Sequence, residues 1–496
     1  MTTVLERPDR DGRDSGATTA QAVPMTHRRR TSRLREFLHQ PAWPVVAMLA
    51  GWPLWWALGV EEFIPLILAI PMVKRMYVWR ARGERRIRFP PGFALWALFL
   101  LVMVLGLAVV NQEAPHTIPS PISHRAASWL IFAVQYFAVT VLLVYAGNLT
   151  EDELPRKRLA WLLGLVAVYT IVFGLAAVAD PGFQFTSPLA KLVPNTIQQA
   201  DVTISAALHP AFSQKQTFGG TGRIAAPFTY SNGWGENLAI LLPWLIVGWC
   251  LLGTRRQRRI GIALVGISIV PIVFSFDRGL WVGLVLAAAY MVVRLSAKNP
   301  KLLLGFIGAL VLVAVVVAAS PLLGLILARA GHGSSDAGRT NQAVVAVKGA
   351  VTSPVLGYGD TRREQGASNS IAIGKSASCP DCGNNSIGAH GQLWLLLFAN
   401  GFVGAFFYLA FFGYGIWRFR RDKTPYGLAG ELVLLLSFVF SLVYEAVGPT
   451  LSFTMLAYVL LWRNDMARQE ELAAAQTDEP AAGEGGGASI AAGVPA

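Results

Sequence analysis

The chain has 496 residues, of which 54% are hydrophobic and only 14% charged, against about 25% charged in an ordinary soluble domain. Its formal net charge is +13. Long apolar runs alternate with short basic connections, which excludes a soluble enzyme, a disordered chain and a disulfide scaffold, and the runs are too long for the strands of a transmembrane barrel. The positive charge belongs to loops at a membrane face rather than to a nucleic-acid surface.

Residues 1–40 form a polar tail with the basic run His27–Arg35 and no small-residue cleavage site after the first apolar stretch, so that stretch is expected to remain as a helix. Twelve spans follow, at roughly 42–59, 62–79, 92–110, 126–147, 159–178, 236–252, 260–275, 279–295, 302–327, 392–416, 427–446 and 449–463. The predicted fold is all-α: a polytopic transmembrane bundle of about 12 helices over residues 41–463, followed by a second disordered tail, 464–496.

Lysine and arginine crowd alternate connections. Segment 74–91 holds Lys74, Arg75 and five further arginines, 148–158 holds Arg156, Lys157 and Arg158, and 253–259 holds four arginines. Segments 294–301 and 417–426 are similarly basic, whereas Glu61-Glu62 and Val447-Gly448 carry no positive charge. Basic loops stay in the cytoplasm, so both termini are expected there, in a multi-pass protein of the cytoplasmic membrane. Two long connections, about 179–235 and 328–391, then face outward. Loops of that length are usually functional or disordered. No nucleotide site is evident on the cytoplasmic side, which directs attention to extracytoplasmic chemistry that needs no ATP.

Two motifs are set aside. Gly374-Lys375-Ser376 ends like a phosphate-binding loop, but Asn369 stands where the first glycine belongs. Gly357-Tyr-Gly-Asp360 resembles an intramembrane protease element, which requires a second aspartate sharing its proton. Cys379-Pro-Asp-Cys382 could be a redox pair, half a zinc site or a local disulfide; an oxidising outer compartment favours the disulfide, and zinc would need two more ligands, for which only His332 and His390 lie near. Cys250 falls in a span and is expected in the core.

Three arginines flank the outward surface. Arg278 lies in Phe274-Ser-Phe-Asp-Arg-Gly279 between two spans, where a charge requires a partner or a task. An ion pair with Asp277 would satisfy it; so would binding an anionic headgroup, since the guanidinium fork matches phosphate. Arg223 precedes Ile224–Gly233, and Arg339 lies in Gly338-Arg-Thr-Asn-Gln342 at the start of the second outer loop. Together they make a positive site for an anionic lipid head. His390, in Ser386–Trp394 where the second loop re-enters the membrane, could accept a hydroxyl proton or could anchor the helix start.

In order and wording these segments resemble the O-antigen ligase and O-antigen polymerase superfamily of bacterial membrane glycosyltransferases. The resemblance runs over roughly residues 218–410 and rests on three segments: Gly222-Arg223 through Pro227 to Asn232; Ser275-Phe-Asp-Arg278-Gly279; and the outer loop from Gly338-Arg339 through Pro354–Gly359 to Ala389-His390, with Asn400-Gly401-Phe-Val-Gly404 in the next span. Where the family usually has His-Asn, this chain has His390-Gly391. The resemblance implies transfer of a glycan from an undecaprenyl-pyrophosphate carrier to an acceptor hydroxyl on a glycan or lipid, at the outer face. No cofactor, metal or nucleotide sugar is implied, because the pyrophosphate is already a leaving group. Arg223, Arg278 and Arg339 would hold the pyrophosphate and His390 would act as base. The competing classes are a transporter of a small anion or glycolipid, and a non-catalytic membrane scaffold.

Overall fold

The computed structural model describes residues 35–198, 202–214, 222–296, 301, 304–305, 307–308, 334–364 and 386–477. The first expected tail up to residue 34, the second from 478 onward, most of the expected span at 302–327, and Cys379 and Cys382 lie outside the described residues. The protein is mostly helical, at 71%.

Helices α1 (Trp43–Ala50) and α2 (Trp52–Leu58) replace the single span expected at 42–59, because Gly51 ends the first and Pro53, with no N–H, sits in the first turn of the second. Then come α3 (Ile64–Ala81), α4 (Phe93–Leu105), α5 (Ile122–Gly147) and α6 (Arg156–Ala179). Within the first long connection, β1 (Ser213–Gln214) and β2 (Arg223–Ile224) form a small antiparallel ladder with Gln214 opposite Arg223. The chain continues through α7 (Ser231–Leu245), which ends in a π-helical turn at Ile246–Leu251, then α8 (Arg255–Ile267), α9 (Ile269–Phe274) and α10 (Arg278–Ser296). The last elements are α11 (Ser334–Thr352), α12 (Gln392–Phe419), α13 (Pro425–Phe440) and α14 (Pro449–Thr477).

Among the described residues six segments are long and apolar enough to cross a membrane: Ile122–Gly147, Arg156–Ala179, Ser231–Leu251, Arg255–Phe274, Arg278–Leu295 and Gln392–Phe419. Phe93–Val109 and Pro425–Phe440 are shorter apolar helices. Close approach among the helices depends on small residues, as in other membrane bundles. Gly147 of α5 lies under the indole of Trp462 on α14, and any Cβ there would occupy the ring. Trp52, Trp96, Trp234 and Trp244 are fully buried, and Trp96 alone meets Phe99, Tyr136, Tyr408, Phe411 and Phe412.

Two expected boundaries move. The span expected at 427–446 stops at Phe440, and Ser441–Gly448 forms a turn. The final helix continues beyond 463 to Thr477, so residues 464–477 of the expected disordered tail are helical, and the rest of that tail lies outside the described residues. Arg463, Asn464 and Asp465 are buried and anchored there. Arg463 Nη2 donates to the Leu154 carbonyl at 2.7 Å, Asn464 Nδ2 to Asp422 Oδ2 at 2.7 Å, and Arg418 pairs with Asp465 at 2.7 Å. These polar contacts hold the helix after its apolar pattern has ended.

One interruption shapes the rest. Within α12, Gly401 leaves the helical region (φ 65°, ψ −173°). The segment Pro354–Gly359 docks into the break: the Tyr358 and Gly359 amides donate to the Phe398 and Ala399 carbonyls at 3.0 and 2.8 Å, and the Phe402 amide donates to the Pro354 carbonyl at 2.8 Å. Two motif segments that the sequence lists apart are therefore a lock and its seat. Asp360, from the protease-like motif, is buried in an ion pair with Arg362 and so has a structural task.

Candidate functional site

Arg223 is placed by β2, whose neighbouring residues are fixed from several directions. The Ala225 amide donates to the Phe212 carbonyl at 2.9 Å, and Trp52 Nε1 donates to the Pro227 carbonyl at 3.0 Å. Thr229 Oγ1 donates to Glu61 Oε1 at 2.8 Å, and the Ser231 amide donates to Gln214 Oε1 at 3.1 Å as α7 begins. The guanidinium, 8% exposed, lies over the start of α10: Nε donates to the Ser275 carbonyl at 3.4 Å and Nη2 to Asn232 Oδ1 at 3.3 Å, with Asp277 Oδ2 3.5 Å from Nη2.

Asp277 organises this corner. Its Oδ1 accepts from the Gly279 and Leu280 amides at 3.0 and 3.3 Å, the N-cap arrangement for α10, and from the Tyr444 hydroxyl. Gly279 is required beside it, since a Cβ would collide with that same hydroxyl. Phe276, just before, is held at φ 50°, a region unfavourable for a bulky residue. Asp277 also forms an ion pair with Arg223, from a segment more than fifty residues away. Arg278 itself is the first residue of α10 and half-buried.

Buried on both sides, the Arg223–Asp277 pair is costly to break from one end. Asp277→Ala is expected to destabilise by about 3–5 kcal/mol, because Arg223 is left unpaired. Asp277→Asn, which keeps an oxygen for the helix cap, is expected to lose less, by about 0.5–2 kcal/mol. Thermal unfolding in detergent checks this; equal losses in both variants would remove the cap from the account.

His390 stands on the tight turn Ser386–Gly391, where Gly388 has φ 97° and the Gly391 amide donates to the Gly388 carbonyl at 3.0 Å. The next two amides, which an isolated helix start would leave bare, are satisfied from the Ser441–Gly448 turn. Gln392 N–H donates to the Tyr444 carbonyl at 2.7 Å and Leu393 N–H to that of Ser441 at 2.8 Å. The Gln392 side chain, fully buried, donates to the Tyr136 hydroxyl at 2.7 Å and accepts from the Ala446 amide at 3.1 Å. Gly391 has a local reason: a Cβ would stand 2.5 Å from the Trp394 ring and 2.9 Å from the Leu442 carbonyl. Tyr444 therefore touches both halves, with its carbonyl on the His390 helix and its hydroxyl on Asp277.

No protein-family model matches the chain, and no curated protein matches it.

Burial pushes the His390 imidazole down to about 4, and the nearby charges of Arg339 and then Arg223 push in the same direction, against a backbone hydrogen bond at Ala389. At neutral pH the ring is uncharged and able to take a proton. The structure thus brings Arg223, Arg339 and His390 into one electrostatic neighbourhood, with Arg278 attached through its neighbour Asp277. Cys250 is a half-buried free thiol against Gly261. Among the described residues no three His, Cys, Asp or Glu side chains gather to hold a metal ion.

Asp277 is visible in the sequence as a neighbour of Arg278, whereas Tyr444, Gln392 and Glu236 belong to none of the motifs. Glu236 is 1% exposed on α7, and its Oε1 has no hydrogen-bond partner among the described residues. A carboxylate inside an apolar span is the signal that could have found it.

Proposed function

We propose that the protein is a glycosyltransferase of the cytoplasmic membrane. It would take a glycan from undecaprenyl pyrophosphate and pass it to an acceptor hydroxyl at the outer face, in a bundle of about twelve spans with both termini in the cytoplasm. The observation that supports this reading is the convergence, through Tyr444, of the Arg223–Asp277 pair at the start of α10 and the His390 turn at the start of α12, which come from separate connections. The acceptor oxygen attacks the anomeric carbon, its proton passes to His390, and the bond from that carbon to the pyrophosphate oxygen breaks with its electron pair. The charge gathering on the departing pyrophosphate meets Arg223, Arg278 and Arg339. That charge also raises the proton affinity of His390 when the proton must move.

The decisive experiment is transfer from a purified undecaprenyl-pyrophosphate glycan in nanodiscs. Arg278→Ala and Arg339→Ala are each expected to cost about 10²–10³ in rate. Arg278→Lys is expected to recover only part, because an ammonium lacks the fork. A wild-type protein that carries the intact glycolipid across the membrane and leaves its glycosidic bond whole would replace this reading with a transporter, the class that the buried Glu236 favours.

Membrane orientation has its own test. With single cysteines placed at Ser335 and Gln257, an impermeant reagent is expected to label position 335 from outside and to spare position 257. The reverse pattern would overturn the orientation.

A further inference from the structure

The face of α11 that carries Arg339 continues into a buried polar pair to which the transfer chemistry gives no part. Gln342 lies one turn on from Arg339, a rise of about 4.5 Å, on the same side of the helix. It is 0% exposed, yet neither its amide nitrogen nor its amide oxygen has a hydrogen-bond partner among the described residues. A further turn on, Val345 and Ala346 seal the same face against Ile387 and Phe398, so Gln342 sits between Arg339 and the apolar packing beneath the His390 turn. Glu364 approaches from the side, also 0% exposed. Its Oε2 accepts from Asn341 Nδ2 at 3.0 Å, while Oε1 has no partner among the described residues. The Arg339 Nε is likewise buried without a partner there.

Native proteins rarely leave such groups unsatisfied, because each lost hydrogen bond to water goes uncompensated. Here a donor and two acceptors, on Gln342 and on the Glu364 that is hydrogen-bonded to its helix neighbour Asn341, lie within one helical turn of Arg339 along the chain. That is a match for a molecule with neighbouring hydroxyl or amide groups next to an anion.

We propose that Gln342 and Glu364 form a sugar subsite that hydrogen-bonds the first sugar of the donor, the residue attached directly to the pyrophosphate. The inference rests on the reading of Arg339 as a pyrophosphate ligand: one helical turn separates the two side chains, and one bond separates the two parts of the donor. Glu364 can serve as donor or acceptor in this role, since burial pushes its carboxyl up to about 7 against the hydrogen bond from Asn341.

The test compares binding of four lipids to the full chain in nanodiscs: bare undecaprenyl pyrophosphate, and the same carrier bearing N-acetylglucosamine, glucose or galactose. The wild type is expected to bind at least one sugar-bearing lipid more tightly than the bare one. Gln342→Leu is expected to weaken that binding about tenfold, leave the bare carrier unchanged, and keep or raise the melting temperature, since it removes an unsatisfied buried amide. Gln342→Met, of similar length, should give the same result.

Equal binding of all four lipids by the wild type would overturn the subsite. So would a Gln342→Leu protein that still prefers the sugar, or one that loses the bare carrier equally. Weakened binding of a free acceptor oligosaccharide alone would overturn the assignment to the donor. A wild type that binds none of the lipids brings down the pyrophosphate reading and the subsite with it, whereas one that binds the bare carrier isolates any failure to the subsite.

Discussion

His390→Ala is expected to slow glycan transfer by about 10²–10⁴-fold while leaving affinity for the pyrophosphate carrier nearly intact. The side chain sits on a turn whose backbone is fixed independently of the ring, through Gly388, Gly391 and the two amides satisfied by Ser441 and Tyr444. Removing the imidazole therefore leaves the arginines in place. The same residue sets a pH signature. With its proton affinity lowered from 6.5 to about 4, the free protein keeps a neutral base well into mild acid, so the acid limb of kcat/KM is expected near pH 4. In Arg339→Ala one of the charges that lowers it is gone, and the limb should move toward 6.5. Stability follows in sign. Between pH 6.5 and 4 the unfolded chain holds the proton and the native one does not, so this residue makes the fold progressively less stable as pH falls through that window. Full activity in His390→Ala, or an acid limb that Arg339→Ala does not move, would remove the histidine from the mechanism.

Gly401→Ala is expected to be the most damaging small substitution in the bundle. At φ 65° and ψ −173° the backbone is in a region that is essentially confined to glycine, which alone costs another residue about 1–3 kcal/mol. The new methyl would also stand 2.6 Å from the Pro354 carbonyl oxygen, which is itself tied to the Phe402 amide. That contact cannot relax without withdrawing Pro354–Gly359 from the break in α12, which would free the Phe398 and Ala399 carbonyls as well. The measured result should be a melting temperature in detergent well below that of the wild type, with little folded protein recovered. Ala399→Gly, a neighbouring change of similar size that meets neither the strained torsion nor the carbonyl, serves as the control. A Gly401→Ala protein that melts with the wild type would show that the break is not set by this residue.

Much of the site was legible because its members are chemically conspicuous where they occur. An arginine between two apolar spans, or a histidine at a re-entering loop, stands out against its surroundings without any knowledge of the fold. What could not be read is what holds them. Tyr444 is unremarkable in its own segment, and its value comes from being opposite Asp277 and above Gln392, both distant along the chain. Gln342 and Glu364 look like ordinary loop polars, because burial without a partner is a property of the packed molecule. Asn400-Gly401 belongs to the motif segments, but hydropathy treats the run from 392 to 416 as one uninterrupted span and cannot register a change of sign in φ. The ends of helices escaped for a related reason. Apolar patterning stops at 463, whereas α14 is prolonged by hydrogen bonds to residues near 154 and 422 that no local window contains.

The position of Tyr444 has a consequence for how the protein is made. A ribosome delivers the chain from its amino end, so Arg223, Asp277, Arg339 and His390 all reach the membrane before residue 444 has been synthesised. Until the final hairpin inserts, Asp277 has no phenol to hold it and the His390 helix has no carbonyls under its first amides. A nascent chain thus carries Arg223, Asp277, Arg339 and His390 before it has the connection between α13 and α14 that fixes Asp277 and the start of α12.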